Sequence, residues 1–191
     1  DAATDGPEEF PAFRSFWIER PAPDAQEIGI LALLDGPSLT GACRFVVRPG
    51  EETIVETTAR LFFRKAVGDL GFAPLSSMFL YGEDGGPRRG DPRPEVHDAD
   101  GLLIARKSGE WIWRPLRNPK STTVSRFPID RLSGFGLLQR DREFAHYRDR
   151  NARYHARPSI WIEPVEEWGP GAVELLEIPS GMEGQDNIAA F

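Results

Sequence analysis

The hydrophobic pattern of this chain consists of short apolar runs, separated about every ten residues by turn residues. The runs are rich in Val, Ile, Phe, Trp and Thr, and 17 prolines and 19 glycines punctuate the chain. This pattern predicts an all-β, antiparallel protein. The predicted strands cover residues 13–19, 28–34, 39–47, 53–63, 102–106, 110–114, 134–139, 159–163, 172–178 and 187–191.

Turn signals and polar segments complete this prediction. Pro-Gly-Glu-Glu at 49–52 and Lys-Ser-Gly at 107–109 each predict a hairpin between neighbouring strands. Residues 142–153 carry aromatic side chains at helical spacing and predict a helix. Residues 82–100 are rich in Gly, Pro, Asp and Arg, which predicts a long polar loop of the kind that often carries function.

Charge and composition exclude some partners. The 191-residue chain has a formal net charge of −7, which disfavours nucleic acid, because affinity for phosphates depends on Lys and Arg. An uncharged ligand such as a sugar is compatible with this negative net charge. No apolar run reaches the roughly 20 residues of a membrane helix, so no membrane insertion is expected. Cys43 is the single cysteine and is predicted to be a buried thiol.

Acidic and aromatic side chains are the candidates for chemistry, because the chain has only three histidines and no Gly-x-Ser-x-Gly motif. Cleavage of a glycosidic bond requires one protonated carboxyl and one ionised carboxylate. Asp98 and Asp186 each lie where a predicted loop meets a strand, although an Asp that stabilises a turn occupies the same kind of position. Trp111 and Trp113 alternate with Ile112 and therefore share one face of a strand, either as a sugar platform or as core.

A metal site is a weaker interpretation of the same sequence. The segment His-Asp-Ala-Asp at 97–100 offers ligands, but His146 and His155 would have to converge on it. Neither paired cysteines nor an HExxH motif supports such a site. We therefore predict no metal and no cofactor.

Longer strings resemble the OpgG/OpgD (MdoG-like) glucan biosynthesis family, in order, across nearly the whole chain. They include RPEVHDADGL at 93–102, GEWIWRPL at 109–116, GFGLLQRDR at 134–142, RPSIW at 157–161 and Asp-Asn-Ile at 186–188. The resemblance implies a β-sandwich similar to galactose mutarotase, with residues 1–191 forming part of one glucan-handling domain. The family's C-terminal immunoglobulin-like domain is absent from this chain, so we expect the natural protein to continue.

The resemblance also implies a location and a partner. The family works in the periplasm of Gram-negative bacteria, and its signal peptide is not in this chain. The expected partner is a β-1,2-glucan polymer, and a homodimer is a candidate assembly. The expected function is that of an anomer-inverting endo-β-1,2-glucanase or transglycosylase. The alternative is a non-catalytic β-glucan-binding factor that guides synthesis of the glucan backbone.

The family motifs assign roles to particular residues. Asp186 matches the general acid, which partial burial is expected to keep protonated, and Asp98 matches the base, which works through a proton relay. Tyr154 and Arg157 match a subsite, and Glu183 matches an acid in the loop before Asp186. We add Trp111 and Trp113 as candidate sugar contacts. Gly181, Gly184 and Gln185 replace much of a Thr/Ser-rich family loop, which predicts a looser loop here.

Overall fold

A computed structural model describes residues 9–68, 70–85 and 90–191. These residues divide into two compact units, one ending at residue 70 and one beginning at residue 71. Their strands, in chain order, are β1 (Ala12–Ile18), β2 (Ile28–Asp35), β3 (Leu39–Arg48), β4 (Ile54–Phe63), β5 (Leu75–Ser77), β6 (Phe79–Tyr81), β7 (Val96–His97), β8 (Gly101–Arg106), β9 (Trp111–Pro115), β10 (Thr123–Ile129), β11 (Leu132–Leu138), β12 (Ile160–Ile162), β13 (Gly171–Glu177) and β14 (Ile188–Ala190).

All strand pairs in these residues are antiparallel. The prediction of an all-β, antiparallel fold is therefore confirmed. The likeness to galactose mutarotase and the assignment of residues 1–191 to one domain stay predictions. None of the helices in the described part is long and apolar enough to cross a membrane.

The first unit is a four-stranded meander in the order β1-β2-β3-β4. Its last hairpin confirms the turn predicted at residues 49–52, with Val47 opposite Val55 in the register. Cys43 on β3 is buried, as predicted, and burial raises the pKa of its thiol. Most of β4 is exposed, and its exposed residues include the apolar side chains of Ile54, Val55, Phe62 and Phe63.

The second unit contains two four-stranded sheets, in the orders β10-β13-β14-β5 and β12-β11-β8-β9. One hydrophobic core lies between them, so this unit is a sandwich. Leu102, Ile104 and Phe135 face the core from one sheet, and Leu175 and Ile188 face it from the other. Burying such side chains supplies the main driving force for the packing. A further short pair is formed by β6, which ends just before the polar loop, and β7, which lies near the end of that loop.

The predicted helix over residues 142–153 is wrong in its extent. Helical structure covers only Phe144–Tyr147, and a short 3-10 turn follows at Tyr154–Ala156. Arg148 adopts a left-handed conformation with φ 53°, which ends the helix. Asp149 then accepts hydrogen bonds from the backbone N–H groups of two following residues, both at 2.8 Å, and this local turn replaces further helix.

The prediction of a long polar loop holds for most of residues 82–100, although β7 lies near its end. Residues 86–89 of that prediction lie outside the described residues. Four strands, β5, β6, β7 and β10, had no sequence prediction. Three of them have only two or three residues, too few for an alternating pattern to be visible. The fourth, β10, contains Pro128 next to its last residue, which argues against a strand in sequence reading.

Candidate functional site

A cavity of about 170 Å³ opens in the second unit where the ends of β5, β11 and β12 meet the segment after β7. It brings together residues that sequence reasoning selected from distant parts of the chain. Its wall is formed by Ser76, Ser77, Asp98, Ala99, Leu137, Arg157, Pro158 and Ile160. Asp98 and Arg157, two of the predicted site residues, therefore share one surface.

Asp98 is the partly buried acid of this cavity. Its Oδ1 lies 3.1 Å from Nε of Arg157, and its side chain is 29% exposed. Its backbone N–H donates to the carbonyl of Met78 at 2.8 Å, which fixes the segment after β7. Loss of water raises the pKa of Asp98, the cation of Arg157 opposes the rise, and the negative charges of Asp186 and Glu183 add to it. Asp98 therefore takes up a proton more readily than an ordinary aspartate.

Asp186 lies in the same region but is exposed. The partial burial expected for Asp186 is wrong, because its side chain is exposed to solvent. Ser76 donates its hydroxyl hydrogen to Oδ2 of Asp186 at 2.7 Å, and Ser76 also lines the cavity that contains Asp98. The negative charge of Asp186 also contributes to the raised pKa of Asp98. Asp186 is therefore next to the wall of the cavity that Asp98 lines, although it does not line the cavity itself.

Asn187 anchors the chain directly after Asp186, and sequence reasoning gave it no role. The side chain is buried, and its Oδ1 accepts the backbone N–H of Phe79 at 2.9 Å. Its Nδ2 donates to the carbonyls of Phe79 and Ile178, both at 3.0 Å. The next residue, Ile188, is buried in the core. The Asp-Asn-Ile string therefore combines an outward carboxyl with two inward anchors.

Tyr154 and Glu183 form a second pair beside these carboxyls. The phenolic hydroxyl of Tyr154 donates to Oε1 of Glu183 at 2.5 Å. Tyr154 is almost fully buried, and this burial raises its pKa. Hydrogen bonds from Arg93 lower the pKa of Glu183, so Glu183 is ionised at neutral pH. Glu183 is therefore a hydrogen-bond acceptor and an ionic contact, and it is unsuited to act as a general acid.

Arg93 is a site residue that the sequence analysis did not select. Its guanidinium contacts Asp91, Asp149 and Glu183. These partners come from three separate loops, so their meeting has no signature in the spacing of the sequence. The available signal was an arginine in the predicted functional loop, within the string at 93–102 that carried the family resemblance.

Trp111 and Trp113 lie on the face of β9 that points away from the core. Ile112 between them packs against the core, while Trp111 is 62% exposed. The ring of Trp111 stacks on that of Trp161, with centroids 5.9 Å apart, and the guanidinium of Arg140 lies 4.0 Å from the ring centroid of Trp113. The prediction that both project from one face is confirmed. Their predicted contact with sugar stays a prediction, now for an outer face of the sheet.

Glycines make room for this aromatic layer. A Cβ atom at Gly134 would lie only 2.5 Å from the ring of Trp161, and one at Gly136 would collide with the carbonyl of Ile160. The ring of Trp161 therefore lies flat across β11 and reaches Trp111. The result is an outward surface of stacked indole rings.

The residues of the segment 97–100 diverge from one another. Nε2 of His97 lies 2.8 Å from a carboxylate oxygen of Glu95, and Asp100 accepts a backbone hydrogen bond from Arg140 at 2.9 Å. Asp98 points to the cavity instead. These side chains therefore do not form one cluster of possible ligands.

A different group of possible ligands lies nearby. Atoms of Glu95, Asp141 and His146 come within 4.8 Å of one another. Nδ1 of His146 already lies 2.6 Å from Asp141, and this bond raises the pKa of His146. A hydrogen-bond network accounts for the cluster. The prediction that the chain binds no metal stays a prediction.

This chain belongs to the MdoG family of periplasmic glucan biosynthesis proteins, whose profile matches residues 1–191. It is 52% identical to the Glucans biosynthesis protein G of Pseudomonas paraeruginosa (strain DSM 24068 / PA7) and to that of Pseudomonas aeruginosa (strain LESB58), in each case over 191 residues. The alignments cover 100% of this chain and 36% of each relative, so the chain spans about a third of their length.

Proposed function

We propose that this chain carries the catalytic carboxyls of an anomer-inverting endo-β-1,2-glucanase or transglycosylase of periplasmic glucan synthesis. The observation that carries the proposal is the position of Asp186 next to the cavity that Asp98 lines, since Ser76 in the wall of that cavity donates a hydrogen bond to Asp186. The two acids also have different surroundings, since one is partly buried and the other exposed. Paired acids with unlike environments are what acid–base chemistry on a glycosidic bond requires.

Asp186 is the proposed general acid. Its carboxyl gives a proton to the glycosidic oxygen as the bond from that oxygen to the anomeric carbon breaks. A glucan chain lying over the exposed loop would remove water from Asp186, and loss of water favours the neutral carboxyl that the step requires. Binding of the polymer would thus prepare the acid that the free protein leaves in solvent.

Asp98 is the proposed base. Its carboxylate takes a proton from water in hydrolysis, or from the hydroxyl of an acceptor sugar in transfer, either directly or through intervening hydroxyls. The oxygen so released attacks the anomeric carbon from the face opposite the leaving group, which inverts the configuration. The raised pKa of Asp98 strengthens it as a base near neutral pH. Arg157, 3.1 Å away, keeps it ionised before the reaction.

The β-1,2 linkage and the periplasmic setting come from the resemblance and the family. Arg157 and Tyr154 would supply the subsite for one sugar ring, because they lie together and the guanidinium of Arg157 is 5.8 Å from the ring centroid of Tyr154. A homodimer remains a prediction, and no contact in the described residues bears on it.

The test is turnover of linear β-1,2-glucan by the full-length protein. We expect Asp186→Asn and Asp98→Asn each to lower turnover by about 100-fold or more. The matched control is Asp130→Asn, since Asp130 is an exposed acid in the turn between β10 and β11, and it should retain wild-type turnover. Reducing-end release reports hydrolysis, and redistribution of chain lengths in mass spectra reports transfer.

The anomer that forms first is an independent readout. Inversion of a β-linkage releases an α-configured reducing end, which proton NMR detects before mutarotation. Normal turnover by Asp186→Asn would remove Asp186 from its role, and a β-configured first product would contradict the inverting mechanism.

A second candidate is a non-catalytic β-glucan-binding factor. The exposed stack of Trp111 on Trp161 favours it, because flat aromatic surfaces bind the apolar faces of sugar rings. In this case the full-length protein would bind β-1,2-glucan, and the polymer would keep its chain length. The same turnover assay therefore separates the two candidates.

A further inference from the structure

Arg93 uses every donor of its guanidinium on carboxylates. Nε donates to Asp91 at 3.0 Å, and Nη2 donates to Asp91 at 2.7 Å and to Glu183 at 2.8 Å. Nη1 donates to Asp149 at 2.7 Å and to Glu183 at 2.9 Å. These contacts account for all five N–H groups that an arginine possesses. With 19% of its side chain exposed, Arg93 makes a fully partnered, largely buried ionic junction.

The junction connects three separate segments. Asp91 belongs to the polar loop before β7, Asp149 follows the short helix, and Glu183 lies three positions before Asp186. Asp149 is itself fixed by two backbone N–H groups, so it offers a rigid support. The contact with Glu183 is bidentate, which fixes orientation as well as distance.

The loop that carries Glu183 depends on a few anchors. The side-chain amide of Asn118 holds Ser180 at its start through bonds of 2.8 and 2.9 Å, and Asn187 holds its end. Between them the loop is exposed and contains Gly181 and Gly184, the latter at φ 82°. The sequence predicted a looser loop for this reason, whereas the structure shows Glu183 bound at its centre by Arg93 and Tyr154.

We propose that Arg93 is a positioning residue, which fixes the loop of residues 180–186 through Glu183 and so holds Asp186 beside Ser76 in the cavity wall. Arg93 itself does not touch the sugar in this arrangement. The inference rests on the proposed function, because it assigns Asp186 the proton-donating step. Misplacing such a group by about 1 Å can reduce the rate by about 100-fold while binding persists.

Arg93→Lys is the discriminating change, made in the full-length protein. Lysine keeps the positive charge but offers three donors from a single point, so it cannot make the bidentate contact with Glu183 while serving two other carboxylates. We expect kcat on linear β-1,2-glucan to fall about 10- to 100-fold, and KM to stay within about threefold. Hydrogen exchange of the 180–186 backbone should become faster, which an assay of activity does not report.

The matched control is Arg126→Lys. Arg126 is an exposed residue of β10 that pairs with Glu174 of β13 in the same unit, so its replacement should change neither kcat nor exchange at 180–186. Glu183→Gln is the second variant: it keeps the shape and an acceptor for Tyr154, and it should also speed exchange in this loop. The pair of variants covers the case in which Arg93→Lys fails to fold.

The outcomes separate the two proposals. Unchanged kcat per folded molecule, with unchanged exchange at 180–186, would overturn the role of Arg93 even if the thermal midpoint fell. Wild-type protein without turnover would remove the proposed function. The hydrogen-exchange measurement would then still decide whether Arg93 fixes the loop. Faster exchange of the 180–186 backbone in Arg93→Lys than in wild type supports the contact with Glu183, and equal exchange refutes it.

Discussion

The hydroxyl of Ser76 donates a hydrogen bond of 2.7 Å to Oδ2 of Asp186. This contact joins an edge strand, β5, to the loop that precedes β14, and Ser76 lies opposite Ala189 in the ladder between those strands. The proposed acid is thus held by a side chain of β5, the strand that pairs with β14.

Ser76→Ala tests that orientation. A hydrogen bond to a charged group contributes about 1.5–3 kcal/mol, and solvent screening at this exposed position reduces it. We expect kcat/KM on β-1,2-glucan to fall about tenfold, with a change of no more than about 0.5 kcal/mol in the free energy of unfolding. Ser121→Ala, at an exposed bend, is the control. Equal kcat/KM for wild type and Ser76→Ala would show that the hydroxyl does not orient Asp186.

Asp98→Asn tests the cost of holding a partly buried carboxylate. Burial raises the pKa of Asp98 above its usual 3.8, so the stability that its protonated form provides is complete below pH 3.8 and is lost as the pH rises through the folded-state pKa. Asparagine does not titrate. The thermal midpoint of Asp98→Asn should therefore exceed that of wild type at pH 7, and the difference should shrink toward pH 3.

Thermal unfolding at a series of pH values measures this difference. Asp130→Asn, at an exposed turn, should show no pH-dependent gap of this kind. A midpoint for Asp98→Asn below wild type at pH 7 would mean that the ion pair with Arg157 outweighs the cost of burial. Proteins commonly carry this kind of cost at functional sites.

Asn187→Asp tests the buried anchor after the acid. The replacement has the same shape, but an ionised carboxylate cannot donate to the carbonyls of Phe79 and Ile178, which then face it without a donor. Each unsatisfied buried group costs about 1–3 kcal/mol, so we expect the free energy of unfolding to fall by about 3 kcal/mol. Denaturant unfolding measures the loss. Asn151→Asp, at an exposed turn, should be nearly neutral, and an equal loss in both variants would contradict the anchoring role of Asn187.

Trp111→Ala tests the outward aromatic surface. Its ring is exposed and stacks only on Trp161 among the aromatic pairs of the described residues, so its removal should leave the thermal midpoint almost unchanged. An aromatic contact contributes about 0.5–1.5 kcal/mol beyond area burial, so the Kd for long β-1,2-glucan should rise about three- to tenfold. Trp168→Ala, which removes another exposed indole, is the control. An unchanged Kd for Trp111→Ala would exclude this face from glucan binding.

Strand prediction succeeded where runs were long and bounded by turn residues. The hairpin of β3 and β4 and that of β8 and β9 formed at the turns expected, because a short turn brings the two strands that it joins side by side. The helix failed beyond Tyr147, because the spacing of aromatic residues describes a face and contains nothing about the turn that Asp149 makes. The hydrogen bonds from backbone N–H groups to the side chain of Asp149 stabilise a turn where the aromatic spacing predicted helix.

Five of the site residues followed from the family resemblance: Asp98, Tyr154, Arg157, Glu183 and Asp186. The structure places them around one region, which sequence order alone does not imply. Ser76, Asn187 and Arg93 were missed for a common reason. Each acts by a contact with a residue far away in the chain, and such a partner is visible only after the sheets have packed.

The sequence by itself determined the all-β class, most of the strands and the family, because alternation, turn chemistry and long composite motifs are properties of consecutive residues. Only the tertiary structure decided that Asp98 loses water while Asp186 stays in solvent, and that one guanidinium gathers three carboxylates. Burial and ionic contacts depend on which surfaces the folded chain brings together, and the free energy of those contacts exists only when distant segments meet.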